Sequence, residues 1–117
     1  MGLFSRRRRP APGAPSGRSE RAAAERALDE WVTARRGVEV FVEPRTAVTG
    51  TTMLLVAHDG EFTRRPVRDA GAARAFARAR SLPVYDAAIV GYPQRMRDYS
   101  RRQTILRKRA EREALEG

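Results

Sequence analysis

The residues best suited to chemistry lie in a few short segments. His58 precedes Asp59, a pair that suits a general base and the carboxylate that orients it, although a polar hairpin end explains the same residues. Asp86 interrupts an apolar run, so it is either a perturbed carboxylate or the partner of an arginine. Threonines and Gly50 in segment 45–52 offer hydroxyls and amides to a phosphate, but they also suit a plain connector. No catalytic residue is assigned, and the candidate ligand site comprises Thr49, Asp86, Tyr92 and Arg95.

Segment 91–99, GYPQRMRDY, is the best placed of these candidates. It follows a predicted strand and precedes a predicted helix, which is where α/β sheets tend to hold ligands. The free amides of the helix start also favour an anion. A purely structural turn is the alternative interpretation.

Composition excludes much other chemistry. The 117 residues include no Cys and a single His, so thiol catalysis, iron–sulfur clusters and histidine-based metal sites are not expected. Segment 45–52 lacks the lysine of a phosphate-binding loop and the spaced glycines of a dinucleotide fingerprint. We therefore expect no metal and no cofactor.

Positive charge is the dominant signal. Lys and Arg number 24 against 14 Asp and Glu, a formal net charge of +10, and such a field attracts polyanions. All but one of these cations are Arg, which codon usage in a GC-rich genome also explains. The predicted polyanion-binding residues are Arg6, Arg7, Arg8, Arg9, Arg95, Arg97, Arg101, Arg102, Arg107, Lys108 and Arg109.

Local patterns predict the elements that carry these residues. Apolar residues at helical spacing predict a helix over 20–36, capped by Ser19 and ended by Gly37 in the left-handed conformation. Alternation predicts a strand over 38–43, with Phe41 interrupting its polar face. Asp59-Gly60 predicts a hairpin between strands at 52–58 and 61–67, with both residues at positive φ.

The second half of the chain adds two helices and a strand. Asp69 caps a helix over 70–80 that lies on the sheet by its alanines. The apolar run 84–90 predicts a central strand, parallel to that at 61–67 because a helical crossover joins them. Residues 94–116 predict a long basic helix. The fold class is α+β, α-β-β-β-α-β-α with a four-stranded mixed sheet.

The chain divides into a basic arm rich in Pro and Gly (1–18), an α+β core (19–93) and the C-terminal helix (94–117). The arm is expected to be disordered, and its cations allow a weak contact with anionic lipid. The apolar runs are too short to cross a membrane, so we expect a cytoplasmic protein.

Two blocks, VEVFVEPRTAVTGTTMLLVAHDGEFTRR and VYDAAIVGYPQRMRDYSRR, carry a family resemblance. Over about residues 20–102 the chain resembles a group of small uncharacterised actinobacterial proteins, some labelled oxidoreductase. That label implies a redox enzyme, but the residues supply no dinucleotide fingerprint and no redox thiol.

Three functions follow as hypotheses. The first is a non-catalytic protein that binds RNA, a ribonucleoprotein or another polyanion through the arm and the C-terminal helix. The second is a small enzyme or ligand-binding domain, an oxidoreductase by resemblance, with its site near Gly91-Tyr92-Pro93. The third is an adaptor whose last helix docks on an acidic protein.

Overall fold

A computed structural model describes residues 17–117, which form helices packed on one four-stranded mixed sheet. The predicted α+β class is therefore confirmed. The predicted arm, with Arg6, Arg7, Arg8 and Arg9, lies outside the described residues, apart from Gly17 and Arg18 at the start of the first helix. The elements are α1 (Arg18–Thr33), β1 (Glu39–Glu43), β2 (Thr52–Val56), β3 (Phe62–Pro66), α2 (Ala70–Ala79), β4 (Val84–Asp86), α3 (Ala87–Val90) and α4 (Gln94–Glu116).

The strands follow the order β3-β2-β1-β4 across the sheet. β2 pairs antiparallel with both β1 and β3, whereas β4 pairs parallel with β1. β4 therefore runs in the same direction as β3, as the crossover predicts, but it lies at the opposite edge of the sheet. The connection through α2 thus crosses the whole sheet and covers one of its faces.

The β2–β3 hairpin forms at the predicted place with a different turn. Gly60 has a φ of 94°, whereas no positive φ occurs at Asp59. The Gly60 amide donates to the Ala57 carbonyl (3.0 Å), and the Ala57 amide donates to the Glu61 carbonyl (2.8 Å). This is a three-residue loop with a left-handed glycine, so the expectation of two positive φ values was wrong.

The prediction of one central strand over 84–90 was also wrong. β4 is a three-residue edge strand, and a helical turn, α3, follows it. The turn begins at Asp86, whose Oδ1 accepts a hydrogen bond from the Ala88 amide (2.9 Å). Ile89 is 81% exposed, so the apolar composition of this segment does not mean that it is buried.

Two apolar clusters occupy the two faces of the sheet. On one face, Val40 and Leu55 pack with Leu28 of α1 and with Ala73 and Ala77 of α2, which confirms that α2 lies on the sheet by its alanines. The other face holds the second cluster, made of Phe41, Leu54, Val56 and Ala87, with Phe62 and Met96 against it. Phe41 therefore does not interrupt a polar face but anchors a second small core.

The helix ends differ in how well local sequence predicts them. Asp69 caps α2 as predicted, since its Oδ1 accepts from the Ala72 amide (2.8 Å). The N-cap of α1 is Gly17 instead of Ser19, and α1 ends at Thr33. Gly37 takes the expected left-handed φ of 63° but lies beyond the helix end, in the loop that leads to β1.

Arg80, next to the C-terminus of α2, ties this helix to α1. Its Nε donates to Asp29 (2.5 Å), its Nη2 to Glu25 (2.9 Å), and its guanidinium lies over the Phe76 ring at 3.8 Å. These bonds hold both helices on the same face of the sheet. They leave the opposite face to α3 and the start of α4.

None of the helices within residues 17–117 combines the length and apolarity that crossing a membrane requires.

Candidate functional site

The first turns of α4 are fixed to the β2–β3 hairpin. Arg95 Nε donates to the Ala57 carbonyl (3.0 Å), and its Nη2 bonds Glu39. Two turns later, Arg102 Nη2 donates to the Asp59 carbonyl (3.0 Å). Gly60 is buried under this helix. Arg95 and Arg102, both predicted to bind a polyanion, thus hold α4 against the hairpin.

The distal half of α4, residues 103–116, leaves the rest of the structure. None of its residues is buried, and within the described chain no hydrogen bond or ion pair joins it to another element. Its one ion pair, Arg107 to Glu111 (3.9 Å), lies inside the helix. At about 1.5 Å per residue the distal half spans roughly 20 Å, all of it open to a partner.

The cations of α4 fall on different sides of the helix. Successive residues turn by about 100°, so the side opposite the four residues that contact the sheet and the hairpin, Arg95, Met96, Tyr99 and Arg102, is the side that faces away from them. We call the cations on that side the outward stripe. They are Arg97, Arg101, Lys108 and Arg112.

The outward stripe is largely free of internal partners. Arg97 bonds only the Gln94 amide oxygen (2.8 Å), and Arg101 lies 3.8 Å from Asp98. Lys108 and Arg112 make no hydrogen bond or ion pair to another residue between 17 and 117. Arg112 was not among the predicted binding residues. Arg107 pairs with Glu111, and Arg109 lies on the side of Arg95 and Arg102, seven residues beyond Arg102.

The two other candidates from the sequence use their polar groups internally. In the β1–β2 connection, Thr46 Oγ1 accepts from the amides of Val48 (3.2 Å) and Thr49 (2.8 Å), so both donors are already engaged. At the hairpin, Asp59 Oδ1 accepts from the Glu61 amide (3.0 Å). That bond lowers the pKa of Asp59 and makes this carboxylate part of the turn.

A groove of about 270 Å³ opens between β4 and the start of α4. Its walls include Phe41, Tyr85 and Tyr92, with Glu39 and Arg95 as the charged groups. Of the four predicted ligand residues, Tyr92 and Arg95 line this groove. Thr49 and Asp86 are not among its lining residues: Thr49 is bonded to Thr46, and Asp86 caps α3.

Two carboxylates of β1, Glu39 and Glu43, lie on the same face as the groove and were not predicted as site residues. Glu43 accepts from Arg64 Nε (2.6 Å), Tyr92 Oη (2.5 Å) and Thr52 Oγ1 (2.7 Å). Burial alone would raise the pKa of Glu43, but these hydrogen bonds outweigh it and hold the pKa below its ordinary value.

The same two carboxylates act on the tyrosines of the groove. Hydrogen bonding to Glu43 raises the pKa of Tyr92, and hydrogen bonding to Glu39 raises the pKa of Tyr85. The Tyr92 hydroxyl is therefore held protonated and fixed to β1. The signal for this arrangement was present in VEVFVE, since alternation places Glu39, Phe41 and Glu43 on one face. Thr52 lies nine residues from Glu43, but the other partners are 21 to 56 residues distant along the chain, which no local pattern reveals.

Among residues 17–117 no group of three or more His, Asp or Glu side chains is arranged to hold a metal ion.

Comparison with known proteins found no matching family model, curated protein or solved structure.

Proposed function

We propose that this protein binds RNA through its phosphate backbone, with the outward stripe of α4 as the main contact surface. The observation that carries the proposal is the position of four cations on one side of a helix that, within residues 17–117, packs on no other element beyond its first turns. No other described element combines such exposure with such a run of positive charge. The activity is binding, with no catalytic step.

The spacing of the stripe suits a phosphate chain. Arg97, Arg101, Lys108 and Arg112 follow one another at intervals of four, seven and four residues, so the stripe covers about 22 Å. These exposed cations have few competing bonds, and their neutralisation of phosphates releases condensed counterions. Four such contacts give a slope of about −2.8 for the logarithm of the binding constant against the logarithm of salt concentration on single strands.

An acidic protein is the second candidate partner, because α4 also exposes apolar side chains. Ile105, Leu106 and Leu115 are 44%, 55% and 89% exposed, and an exposed helix of mixed charge and apolarity can dock in a groove. Such binding would resist nuclease and depend less steeply on salt than RNA binding.

Charge reversal in the stripe tests the RNA proposal. Fluorescence anisotropy of a labelled single-stranded RNA, titrated with the full chain at several salt concentrations, compares wild type with R101E/K108E/R112E. We expect the affinity at low salt to fall about tenfold or more, and the salt slope to flatten by about 2.

The matched control is R21E/R26E/R74E, which makes the same change of net charge on exposed residues of α1 and α2. It should retain most of the affinity and the slope. Absence of salt-dependent binding by the wild type, or equal losses in both triple variants, would contradict the proposal. The arm is tested separately in R6S/R7S/R8S/R9S, which should weaken binding but keep the contribution of the stripe.

A further inference from the structure

The groove between β4 and the start of α4 is built from aromatic rings. The Phe41 and Tyr85 rings lie with centroids 5.3 Å apart at an interplanar angle of 33°. Tyr85 is 37% exposed and Tyr92 is 41% exposed. Val90, next to them in the groove wall, is also exposed. The two tyrosines therefore present part of their rings to solvent beside Val90, above the buried ring of Phe41.

Contacts with the sheet hold both tyrosines of the groove in place. Tyr92 Oη donates to Glu43 (2.5 Å), and the Tyr85 ring packs on the buried Phe41 ring with centroids 5.3 Å apart. The rings are therefore oriented before any ligand arrives, which reduces the entropy lost on binding. Rigid, exposed aromatic rings on a sheet are the usual platform for stacking unpaired bases.

The charged groups of the groove suit the edge of a nucleobase. Arg95 bonds one oxygen of Glu39, Oε1, and an ionised carboxylate has about four acceptor positions. The remaining positions of Glu39 can accept from the amino or imino groups of a base.

The groove and the outward stripe lie on opposite sides of the start of α4, within reach of one nucleic-acid strand. Arg95 lines the groove, and Arg97 begins the stripe on the opposite side of the same helix turn, about one helix diameter or 10 Å away. A strand that passes over the N-terminal end of α4 can place a base in the groove and its following phosphates on the stripe. A base-paired duplex cannot offer an unstacked base there.

We propose that the groove lined by Tyr85, Tyr92 and Glu39 binds an unpaired nucleobase, so that the protein prefers single-stranded nucleic acid to duplex. This inference rests on the proposed RNA binding and adds the class of RNA that is bound. The stripe supplies affinity for any phosphate chain, and the groove supplies selectivity for single strands.

The test compares Y85L/Y92L with Y85F/Y92F in the full chain. The leucine variant removes the stacking rings, whereas the phenylalanine variant keeps the rings and removes only the hydroxyls, including the bond from Tyr92 to Glu43. Single-stranded RNA and duplex RNA of the same length are titrated by anisotropy. A single-stranded DNA of the same sequence shows whether the ribose contributes.

We expect Y85L/Y92L to lose roughly 5- to 150-fold in affinity for single strands, the range for one stacked base. Its duplex affinity and salt slope should be unchanged, and Y85F/Y92F should remain close to wild type. As a direct readout, 2-aminopurine fluorescence in the single strand should be quenched by the wild type and the phenylalanine variant only.

Failures of the two proposals are distinguishable. Salt-steep binding with equal affinity for single strands and duplex, unaffected by Y85L/Y92L, would overturn the nucleobase site and leave the stripe intact. Equal losses in the leucine and phenylalanine variants would show that the tyrosines act structurally, which also overturns it. Absence of any salt-dependent binding by the wild type would contradict the proposed function itself.

Discussion

Glu43 shows how one side chain joins four parts of this molecule. It lies on β1 and accepts hydrogen bonds from Thr52 of β2, Arg64 of β3 and Tyr92 before α4. A carboxylate with three donors is stabilised in its ionised form. Since Tyr92 also lines the groove, Glu43 connects the packing of the sheet to the candidate base-binding site.

This arrangement predicts a pH-dependent contribution to stability. The pKa of Glu43 is depressed below its ordinary value of 4.5, so its contribution is full above that pH and is lost as the pH falls through the lower, folded-state pKa. E43Q should therefore reduce the free energy of unfolding by about 1 kcal/mol at neutral pH. The difference from wild type should close in acid.

Urea unfolding followed by Trp31 fluorescence over an acidic pH series measures this difference. The control is E30Q, because Glu30 is an exposed residue of α1 whose side chain makes no hydrogen bond or ion pair within residues 17–117. It should match wild type throughout. If the difference in free energy of unfolding between wild type and E43Q persisted unchanged into acid, the ionised state of Glu43 would not be what stabilises the fold.

At the scale of elements, the contact between the β2–β3 hairpin and α4 decides where the basic helix points. Arg95 and Arg102 bond two hairpin carbonyls, and Gly60 permits the close approach. A Cβ at Gly60 would lie 2.0 Å from the Arg95 carbonyl oxygen and 2.9 Å from Tyr99 Cβ. The left-handed φ of Gly60 adds a second requirement for glycine.

Gly60 and Gly91 form a matched pair for testing this contact. Both have positive φ, 94° and 74°, but a Cβ at Gly91 meets no atom within 4 Å. G91A should reduce the free energy of unfolding by about 1 kcal/mol for backbone strain alone. G60A should lose at least about 1 kcal/mol more, because the added methyl displaces α4.

Thermal unfolding of both variants checks this expectation. In G60A the melting temperature should fall clearly further than in G91A. Equal shifts would mean that α4 does not rest on the hairpin in the way described.

The whole molecule consists of a packed body and a helix that extends from it. The body contains the sheet, α1, α2, α3 and the first turns of α4, whereas residues 103–116 make no bond to it within the described chain. Helices that lack a packed face are marginal in water. We therefore expect the distal half of α4 to open independently of the body.

A110P tests this independence. Proline in a helix interior costs about 3 kcal/mol or more, so the variant should lose helical circular dichroism from the distal half. The midpoint of unfolding reported by Trp31, which packs against the core, should not change. The comparison is A73P, in the buried face of α2, which should lower that midpoint sharply. A shift of the midpoint in A110P would show that the distal half contributes to the body.

Local sequence predicted the elements whose signals are short-range. The hairpin at Gly60, the cap at Asp69 and the long helix from Gln94 all depend on residues close together in the chain, and all three are present. The prediction of a central strand over 84–90 failed because it depended on long-range contacts. Whether an apolar run lies in the centre of a sheet depends on which strand pairs with it, and that is decided by distant residues.

The residues of the candidate site also divide into those that local sequence predicted and those whose role depends on tertiary structure. Sequence identified α4 as basic and named Tyr92 and Arg95, because residue type and helical spacing are local properties. It assigned Arg95 and Arg102 to a partner, whereas tertiary structure bonds them to the hairpin. It also overlooked Glu39 and Glu43, which gain their role only from residues brought to them by the sheet.

By itself, the sequence determined the charge, the order of the elements and the helical spacing of the cations on α4, since these depend on residue identity and near neighbours alone. Tertiary structure decided which cations remain free, which strand lies at the edge and which rings line the groove. Those outcomes depend on contacts between segments far apart in the chain, where packing and hydrogen-bond geometry select one partner among many of the same type.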